Sequence, residues 1–317
     1  MDLRRFCTEI GLPSGAVCIV EKMNEEISEV RYQYVRELFF TDREEIFREI
    51  ASLAGYRQRF LYYYCRLACE TYEKYQRAGI GDRVFFDTFS DIAVWCQVCF
   101  RRYGEYGIQE YEWLWRHVEM TLFRLGRLQF EKTESLWEFE YKGRKTAVGD
   151  PVISIHIPEG QPLDPEACRE SLDMGRKFWG GEIPYVCHSW LLFPGLKELL
   201  DEKSNILRFQ QMFEIQRVDF QFREGEERIF DCLIEDPEKY PENTSLQRNA
   251  RKYLMQGGRL GSGLGVIAAD QAKCYCSLRS QKRAKIHFRL PAAMEFWLVC
   301  LGILAYTCQN TSRDRAM

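Results

Sequence analysis

Two of the four histidines lie in segments with the residue pattern of β-strands. His156 follows the alternating apolar residues Ile153 and Ile155, and successive strand residues face opposite sides, so its imidazole is expected to point away from them. His188 lies within the apolar run 185–193. Because an imidazole titrates near neutral pH, either ring could act as a general base. The alternative for each histidine is a hydrogen-bonded core residue that holds neighbouring strands in register.

A carboxylate, a serine and a pair of cysteines are the other candidates for chemistry. Glu182 follows two glycines and is a candidate carboxylate base, with a solvated turn residue as the alternative. Ser189 is next to His188, but adjacent strand residues face opposite sides, which excludes a nucleophile made from that pair alone. No metal site is predicted, because the histidines are scattered and Cys96-Gln-Val-Cys99 has no second motif of its kind. Its two thiols are expected to pack in an apolar helix.

The segment 158–165 contains a loop that opens a helix. Asp164 is a favoured N-cap residue, and Pro165 suits the first helical position. The N–H groups and the dipole of such an N-terminus can bind a phosphate, and a simple capped helix start is the alternative. The glycines in 259–265 follow a helix and precede a strand. We therefore predict a turn and a strand that other backbone approaches closely, not a nucleotide-binding loop.

Residues 1–127 have the apolar period of helices and no strand alternation, which predicts a helical bundle. A capping box is expected at Thr41–Glu44, helix ends at 78–81 and at Gly104, and a further helix through Tyr111–Leu122.

From residue 128 the apolar period shortens to two. Three strand candidates are expected to form an antiparallel meander. These strands are predicted near 128, over 137–141 and over 152–157. A helix from Pro165, a strand over 185–193 and helical sequence from Pro194 to Phe213 are predicted to follow. The last predicted elements are strands over 217–223 and 229–233, a capped helix from Thr244 and a strand within 259–267. This order predicts a mixed α/β domain.

The net charge of −3 gives no basic field to attract nucleic acid. The 13 cysteines and the lack of an apolar leader after Met1 indicate reduced thiols and a cytoplasmic protein. Residues 268–317 form a basic tail whose apolar run at 292–306 is short for a membrane span and contains Glu295. A membrane is therefore not an expected partner, and a tail anchor at 292–306 is the less favoured alternative to a docked or poorly ordered extension.

Several sequence motifs resemble those of a bacterial family of two-domain acyltransferases, in which an N-acyltransferase N-terminal domain precedes a GNAT-like C-terminal domain. The resemblance covers roughly residues 10–267. The matching phrases are Trp115-Arg-His-Val-Glu119, Leu122-Phe-Arg-Leu-Gly-Arg-Leu-Gln-Phe-Glu131, Ile155-His-Ile-Pro-Glu-Gly160, Pro165-Glu-Ala-Cys-Arg-Glu-Ser171, Cys187-His-Ser-Trp-Leu-Leu192, Ser204-Asn-Ile-Leu-Arg-Phe209, Ser245-Leu-Gln247 and Gly257-Gly-Arg-Leu-Gly-Ser-Gly-Leu-Gly265.

The resemblance implies an α+β, or mixed, fold: a helical N-terminal domain over 1–127, a GNAT-like domain with a mostly antiparallel mixed sheet over 128–267, and an atypical tail over 268–317. It implies direct transfer of an acyl group from acyl-CoA or acetyl-CoA to an amine on a small molecule or peptide, without a metal. His156 and His188 would lie on the two strands that separate around the acyl group. The implied cofactor-binding positions are Ile157, Gly160, Gln161, Asn205 and Phe213, the last at the usual place of a tyrosine.

The alternative function is a non-catalytic GNAT-like module that binds a small molecule or recruits a partner. The family's pyrophosphate loop is Gln/Arg-x-x-Gly-x-Gly/Ala, whereas this loop has one glycine, two prolines and two acids. Phe213 has no hydroxyl group with which to protonate a leaving thiolate. Both departures favour the alternative.

Overall fold

The structure is a computed structural model that describes residues 1–141, 143–180 and 182–267. The predictions for the tail at 268–317, including the apolar run at 292–306, lie outside the described residues. Among the described helices, none is both long enough and apolar enough to span a membrane.

The chain divides into two compact units that exchange short segments. The first unit contains Met1–Lys132, His156–Pro162 and Glu170–Gly175. The second contains Thr133–Ile155, Leu163–Arg169 and the chain from Arg176 onward. Each unit is described separately below.

Seven helices build most of the first unit. They are α1 (Leu3–Glu9), α2 (Ser14–Glu26), α3 (Glu29–Thr41), α4 (Arg43–Ala51), α5 (Tyr56–Arg77), α6 (Asp82–Tyr103) and the short α7 (Trp115–Val118). The predicted ends are confirmed after Arg77 and at Gly104, whose positive φ of 73° terminates α6. Aromatic rings fill the core: Phe85 of α6 packs edge-on against Phe6 and Tyr75.

Two boundary predictions in this unit were wrong. Thr41 does not open a helix, because it is the last residue of α3, and Asp42 caps α4 by accepting from Glu45 N at 3.1 Å. The expected helix through Tyr111–Leu122 is reduced to the single turn of α7.

A hairpin follows this segment directly. Strand β1 (Leu122–Leu125) pairs antiparallel with β2 (Leu128–Glu134). Gly126 turns the chain with a φ of 78°, and a Cβ there would lie 2.8 Å from Ser171 Oγ. That hydroxyl group donates to Leu125 O and accepts from Leu128 N at 3.0 Å, so both turn ends are anchored.

The second unit contains the remaining strands and helices. The strands are β3 (Phe139–Tyr141), β4 (Arg144–Thr146), β5 (Pro151–His156), β6 (Tyr185–Ser189), β7 (Glu214–Asp219) and β8 (Ser262–Ile267). The helices are α8 (Pro165–Trp179), α9 (Asn205–Gln210), α10 (Glu224–Phe230) and α11 (Ser245–Met255), with short 3-10 turns at Trp190–Leu192, Pro194–Glu198 and Pro237–Lys239. Parts of β2, β5 and α8 fall in each unit.

Four strands of this unit lie in the order β5-β6-β8-β7. β5 is parallel to β6, whereas β8 is antiparallel to both β6 and β7. The expectation of a mixed, mostly antiparallel sheet after a helical N-terminal region is therefore confirmed. The expected three-stranded meander was wrong, because β3 pairs with β4 in a separate hairpin.

Local capping was predicted correctly. Asp164 accepts from Ala167 N at 2.9 Å and Pro165 begins α8. Thr244 and Gln247 form the expected capping box of α11.

Three other boundaries were wrong. The strand expected over 185–193 ends at Ser189, whose hydroxyl accepts from Leu191 N at 3.2 Å and starts a 3-10 turn. The strand expected over 217–223 is β7, which ends at Asp219 where its partner β8 begins. The strand expected over 229–233 overlaps α10, whose three first-turn glutamates favour a helix N-terminus.

The glycines of β8 confirm the prediction of close backbone approach. A Cβ on Gly263 would lie 2.2 Å from Leu192 O, and one on Gly265 would lie 2.8 Å from Phe213 Cβ. Leu264 and Val266, on the opposite face, pack against Val186 of β6 and Phe139 of β3. The face of β8 that carries the glycines therefore packs closely against the chain that follows β6. The other face of β8 is part of the apolar core.

We expect Gly263→Ala to lower the free energy of unfolding by about 1–3 kcal/mol, because the new methyl group must displace the carbonyl of Leu192. Gly81→Ala is the control, since nothing lies within 4 Å of its Cβ position. The measurement is urea unfolding of both variants and the wild type. Equal stabilities of the two variants would show that the Leu192 carbonyl does not pack closely against Gly263 of β8.

Candidate active site

The imidazole of His156 forms a close pair with a buried carboxylate. His156 Nε2 lies 2.9 Å from Glu131 Oε2, and the side chains are 17% and 5% exposed. Arg116 Nε lies 3.2 Å from Glu131 Oε1, so each carboxylate oxygen has a partner. An imidazole held by a buried acid and still partly open to solvent has the arrangement of a general base with its orienting group.

The protonation state of Glu131 determines which nitrogen of His156 is available. Burial alone would raise the pKa of Glu131, but the charge of Arg116 and the hydrogen bond from His156 outweigh it and lower that pKa. An ionised carboxylate can only accept a hydrogen bond. His156 must therefore donate from Nε2–H, and in the neutral imidazole the lone pair then lies on Nδ1, which can accept a proton.

Three elements of the first unit bring this pair together. β2 supplies Glu131, α7 supplies Arg116, and His156 is the last residue of β5. The guanidinium carbon of Arg116 lies 4.6 Å from the ring centre of Trp115 and 4.8 Å from that of Trp113. Cation–π contacts with two rings help to hold the cation beside Glu131.

A second buried acid, Asp91, contacts the neighbouring Trp113. Asp91 Oδ2 accepts from Trp113 Nε1 at 2.8 Å and lies 3.1 Å from His117 Nε2. Burial would raise the pKa of Asp91, but the hydrogen bonds from His117 and Trp113 overcome this and lower it. The Trp113 ring meets the His156 ring edge-on at 4.9 Å.

His188, the other candidate base, lies on β6 in the second unit. Its ring centre is 5.1 Å from that of Trp137, and its Nε2 is buried without a hydrogen-bond partner among the described residues. Burial lowers the pKa of His188, and the carboxylates of Glu224 and Asp219 oppose that shift only in part. His188 is thus a neutral ring that no acid orients by a hydrogen bond from Nε2.

The strands β5 and β6 pair over a short length only. Their register comprises Ile153 with Tyr185 and Ser154 with Val186. β5 nevertheless continues to His156 and β6 to Ser189, while β6 stays paired with β8 along its whole length. Two parallel strands that stop pairing midway leave backbone N–H and C=O groups available at their carboxyl ends.

The loop expected to bind pyrophosphate is held by arginines. Arg124 Nη2 donates to Gln161 Oε1 at 3.0 Å, while Arg127 donates to the carbonyls of Gln161 and Pro162, each at 2.9 Å. Glu159, one of its two acids, forms an ion pair with Arg101. Gly160 is exposed, with a φ of 85°, and Ile157 is half-buried.

The remaining predicted positions are dispersed along the second unit. The side chain of Glu182 is exposed, and its backbone carbonyl accepts from Arg144 Nη1 at 2.8 Å. Asn205 is the first residue of α9, after the N-cap Ser204. Phe213 is buried against Phe209 and offers no proton donor.

Sequence reasoning missed the acids and the tryptophan that support His156. Glu131 follows the alternating pair Leu128 and Phe130, where a polar residue is normally solvent-facing, yet it is 4% exposed. Asp91 comes directly before the apolar run Ile92–Cys96 of α6, and this context is an indication of a buried charge in the sequence. Cys96 and Cys99 are buried in α6 as predicted, and burial raises the pKa of both thiols, to about 11 and about 12.

Within the described part of the chain, no group of three or more histidines, cysteines and acids is placed to hold a metal ion.

Two family models match successive parts of the chain. Residues 1–120 match the model of the N-acyltransferase N-terminal domain, and residues 122–267 match that of the GNAT-like C-terminal domain. None of the curated proteins matches the chain.

Several solved structures share this fold. One is an acyltransferase in complex with decanoyl-CoA and teicoplanin, with 23% sequence identity and a TM-score of 0.66, covering 84% of this chain and 87% of that one. Another is an acyltransferase in complex with CoA and 10C-teicoplanin, with 22% identity and the same TM-score and coverage.

The two domain models together account for nearly all of the described residues, and the structural neighbours have the same arrangement of helices and sheet. The chain therefore belongs to the two-domain acyltransferase family in which an N-acyltransferase N-terminal domain is joined to a GNAT-like C-terminal domain.

Proposed function

We propose that this protein transfers an acyl group from acyl-CoA to an amine, with His156 as the general base. The observation that carries the proposal is the pairing of His156 with the buried, ionised Glu131. Structural neighbours were solved with decanoyl-CoA or octanoyl-CoA, which supports an acyl-CoA donor here.

The reaction needs one proton acceptor and no covalent enzyme intermediate. The amine nitrogen attacks the thioester carbonyl, and Nδ1 of His156 takes the proton that the nitrogen loses. The C–N bond forms, the C–S bond breaks, and the CoA thiolate leaves. Glu131 stabilises the imidazolium through Nε2–H, and the imidazolium can return its proton to the thiolate. This return supplies the proton that Phe213 cannot donate.

Two features of the chain fit an acyl-CoA. Backbone groups at the carboxyl ends of β5 and β6, which are not paired with each other, can polarise the thioester carbonyl. The guanidinium groups of Arg101, Arg124 and Arg127 contact the loop at 158–162, and they outnumber the loop's two acids, Glu159 and Asp164, so positive charge exceeds negative charge where the pyrophosphate is expected.

The acceptor is proposed to be an amine on a small molecule or peptide. Neighbours in complex with teicoplanin, a glycopeptide, support an acceptor of that size.

A non-catalytic binding module is the second candidate function. It is favoured by the N-terminus of α8, where the carboxylate of Asp164 already accepts from a backbone N–H and Pro165 has none to offer. Such a module would bind its ligand and transfer nothing.

We expect octanoyl-CoA or decanoyl-CoA to stabilise the full chain against thermal unfolding. A ligand at 100 times its dissociation constant adds about 2.7 kcal/mol to the free energy of unfolding. The measurement is a thermal melt with each acyl-CoA. Free adenosine diphosphate and free octanoate are the controls for the nucleotide part and the acyl part of the ligand. The absence of a shift with any acyl-CoA would contradict the proposed donor.

Transfer should depend on His156 and its acid partner. We expect His156→Gln to lower kcat/KM by about 100-fold or more, the usual contribution of a general base. Glu131→Gln should lower it by more than about tenfold, because the new amide can donate to Nε2 and select the wrong tautomer. Release of CoA thiol from decanoyl-CoA with a panel of amines gives the rate.

His188→Gln is the matched control, because it makes the same change in the second unit. The proposal predicts that this variant keeps most of its activity. Loss of activity in His188→Gln together with full activity in His156→Gln would contradict the proposal and would indicate His188 as the base.

The ionisation of Glu131 can be tested by its effect on stability. A carboxylate with a folded pKa below the ordinary value of 4.5 contributes stability that is present above the unfolded pKa and is lost as pH falls through the folded pKa. The difference in unfolding free energy between wild type and Glu131→Gln should therefore be constant above about pH 5 and shrink below pH 4.5. A difference that grows on acidification would mean that Glu131 is protonated in the folded protein.

A further inference from the structure

We propose that Asp91 is a positioning residue for His156 and acts on it through the indole of Trp113. This inference deepens the proposed function, because it gives His156 a second support besides Glu131. Asp91 does not contact His156 in the contacts described above, so it is not a catalytic residue.

The first step is the fixation of Asp91 itself. It lies in the long helix α6, is 2% exposed, and its Oδ2 atom has donors on two sides, Trp113 Nε1 at 2.8 Å and His117 Nε2 at 3.1 Å. A buried charged acceptor is costly to leave without partners. The carboxylate therefore holds the indole N–H in one place.

The second step is the contact between the indole and the imidazole. The Trp113 ring meets the His156 ring at 4.9 Å and 73°, and the guanidinium carbon of Arg116 lies 4.8 Å from the indole ring centre. The hydrogen bond to Asp91 and the cation–π contact both favour this orientation of the indole. The imidazole thus contacts Glu131 at Nε2 and a ring that has its own two supports.

A second support has a chemical consequence. One hydrogen bond from Nε2 allows the imidazole to rock about that bond, and a small misplacement of a reacting group slows a reaction by up to about 100-fold. A ring packed against one side removes that freedom. Asp91 then determines how accurately Nδ1 faces the acceptor amine.

The variant that tests this is Trp113→Phe, which keeps an aromatic ring and removes the N–H group that Asp91 holds. Asp91→Leu removes the acceptor, and the double variant tests whether the two act in series. The readout is the ¹⁵N NMR spectrum of the imidazoles in full-length protein labelled at histidine, where His156→Gln assigns the His156 signals. The second readout is kcat and KM with decanoyl-CoA.

In the wild type we expect His156 to show one neutral tautomer, protonated at Nε2. Trp113→Phe should keep this tautomer, which Glu131 sets, but shift or broaden the His156 signals because the ring is less well held, and kcat should fall by up to about 100-fold while KM for decanoyl-CoA stays unchanged. The double variant should have the same kcat and the same His156 signals as Trp113→Phe alone. If Asp91→Leu does not fold, Trp113→Phe alone decides the matter.

Tyr32→Phe is the control for lost stability, because it removes a hydrogen bond from a fully buried ring to Glu70 in the same unit. It should leave the His156 signals as they are. Wild-type His156 signals in folded Trp113→Phe, or equal changes in Tyr32→Phe, would overturn the proposal. If the His156 signals respond as expected but the wild type transfers no acyl group, the positioning by Asp91 stands and the proposed function fails.

Discussion

The carboxylate of Glu131 is the constraint on which the site depends. A buried, ionised acid is tolerated only when both oxygens have charged or hydrogen-bonding partners, and here Arg116 and His156 supply them. Those partners come from a one-turn helix and the last residue of a strand. The need to satisfy Glu131 therefore fixes the place, the orientation and the tautomer of the imidazole that we propose as the base.

The sequence predicted elements best where local chemistry decides the structure. The caps at Asp164 and Thr244 and the glycine strand β8 follow from turn and capping preferences alone. It failed at β1, because Leu122–Leu125 is buried on both faces and shows no alternation. It failed at α10 because the apolar residues Ile229 and Phe230 resemble a short strand, whereas the acidic first turn stabilises a helix.

From the sequence, only those site residues could be predicted whose side-chain type itself indicates a chemical role. His156 was found because imidazole titrates near neutral pH, but Glu131 and Asp91 acquire their roles from burial, which depends on tertiary contacts. The same holds for the loop at 158–162. Glu159 is one of the two acids by which the loop departs from the family pattern, but in the structure it pairs with Arg101, which lies 58 residues earlier in the chain. Long-range ion pairs of this kind leave no local pattern in a sequence.

A crystal structure of the full chain with octanoyl-CoA would test the central claim most directly, because it locates the thioester relative to each histidine. The account predicts that the thioester carbonyl carbon lies where an attacking amine would be within hydrogen-bond reach, or one water molecule, of His156 Nδ1. It also predicts that Nε2 still faces Glu131. A thioester bound out of reach of His156, or beside His188 instead, would contradict it.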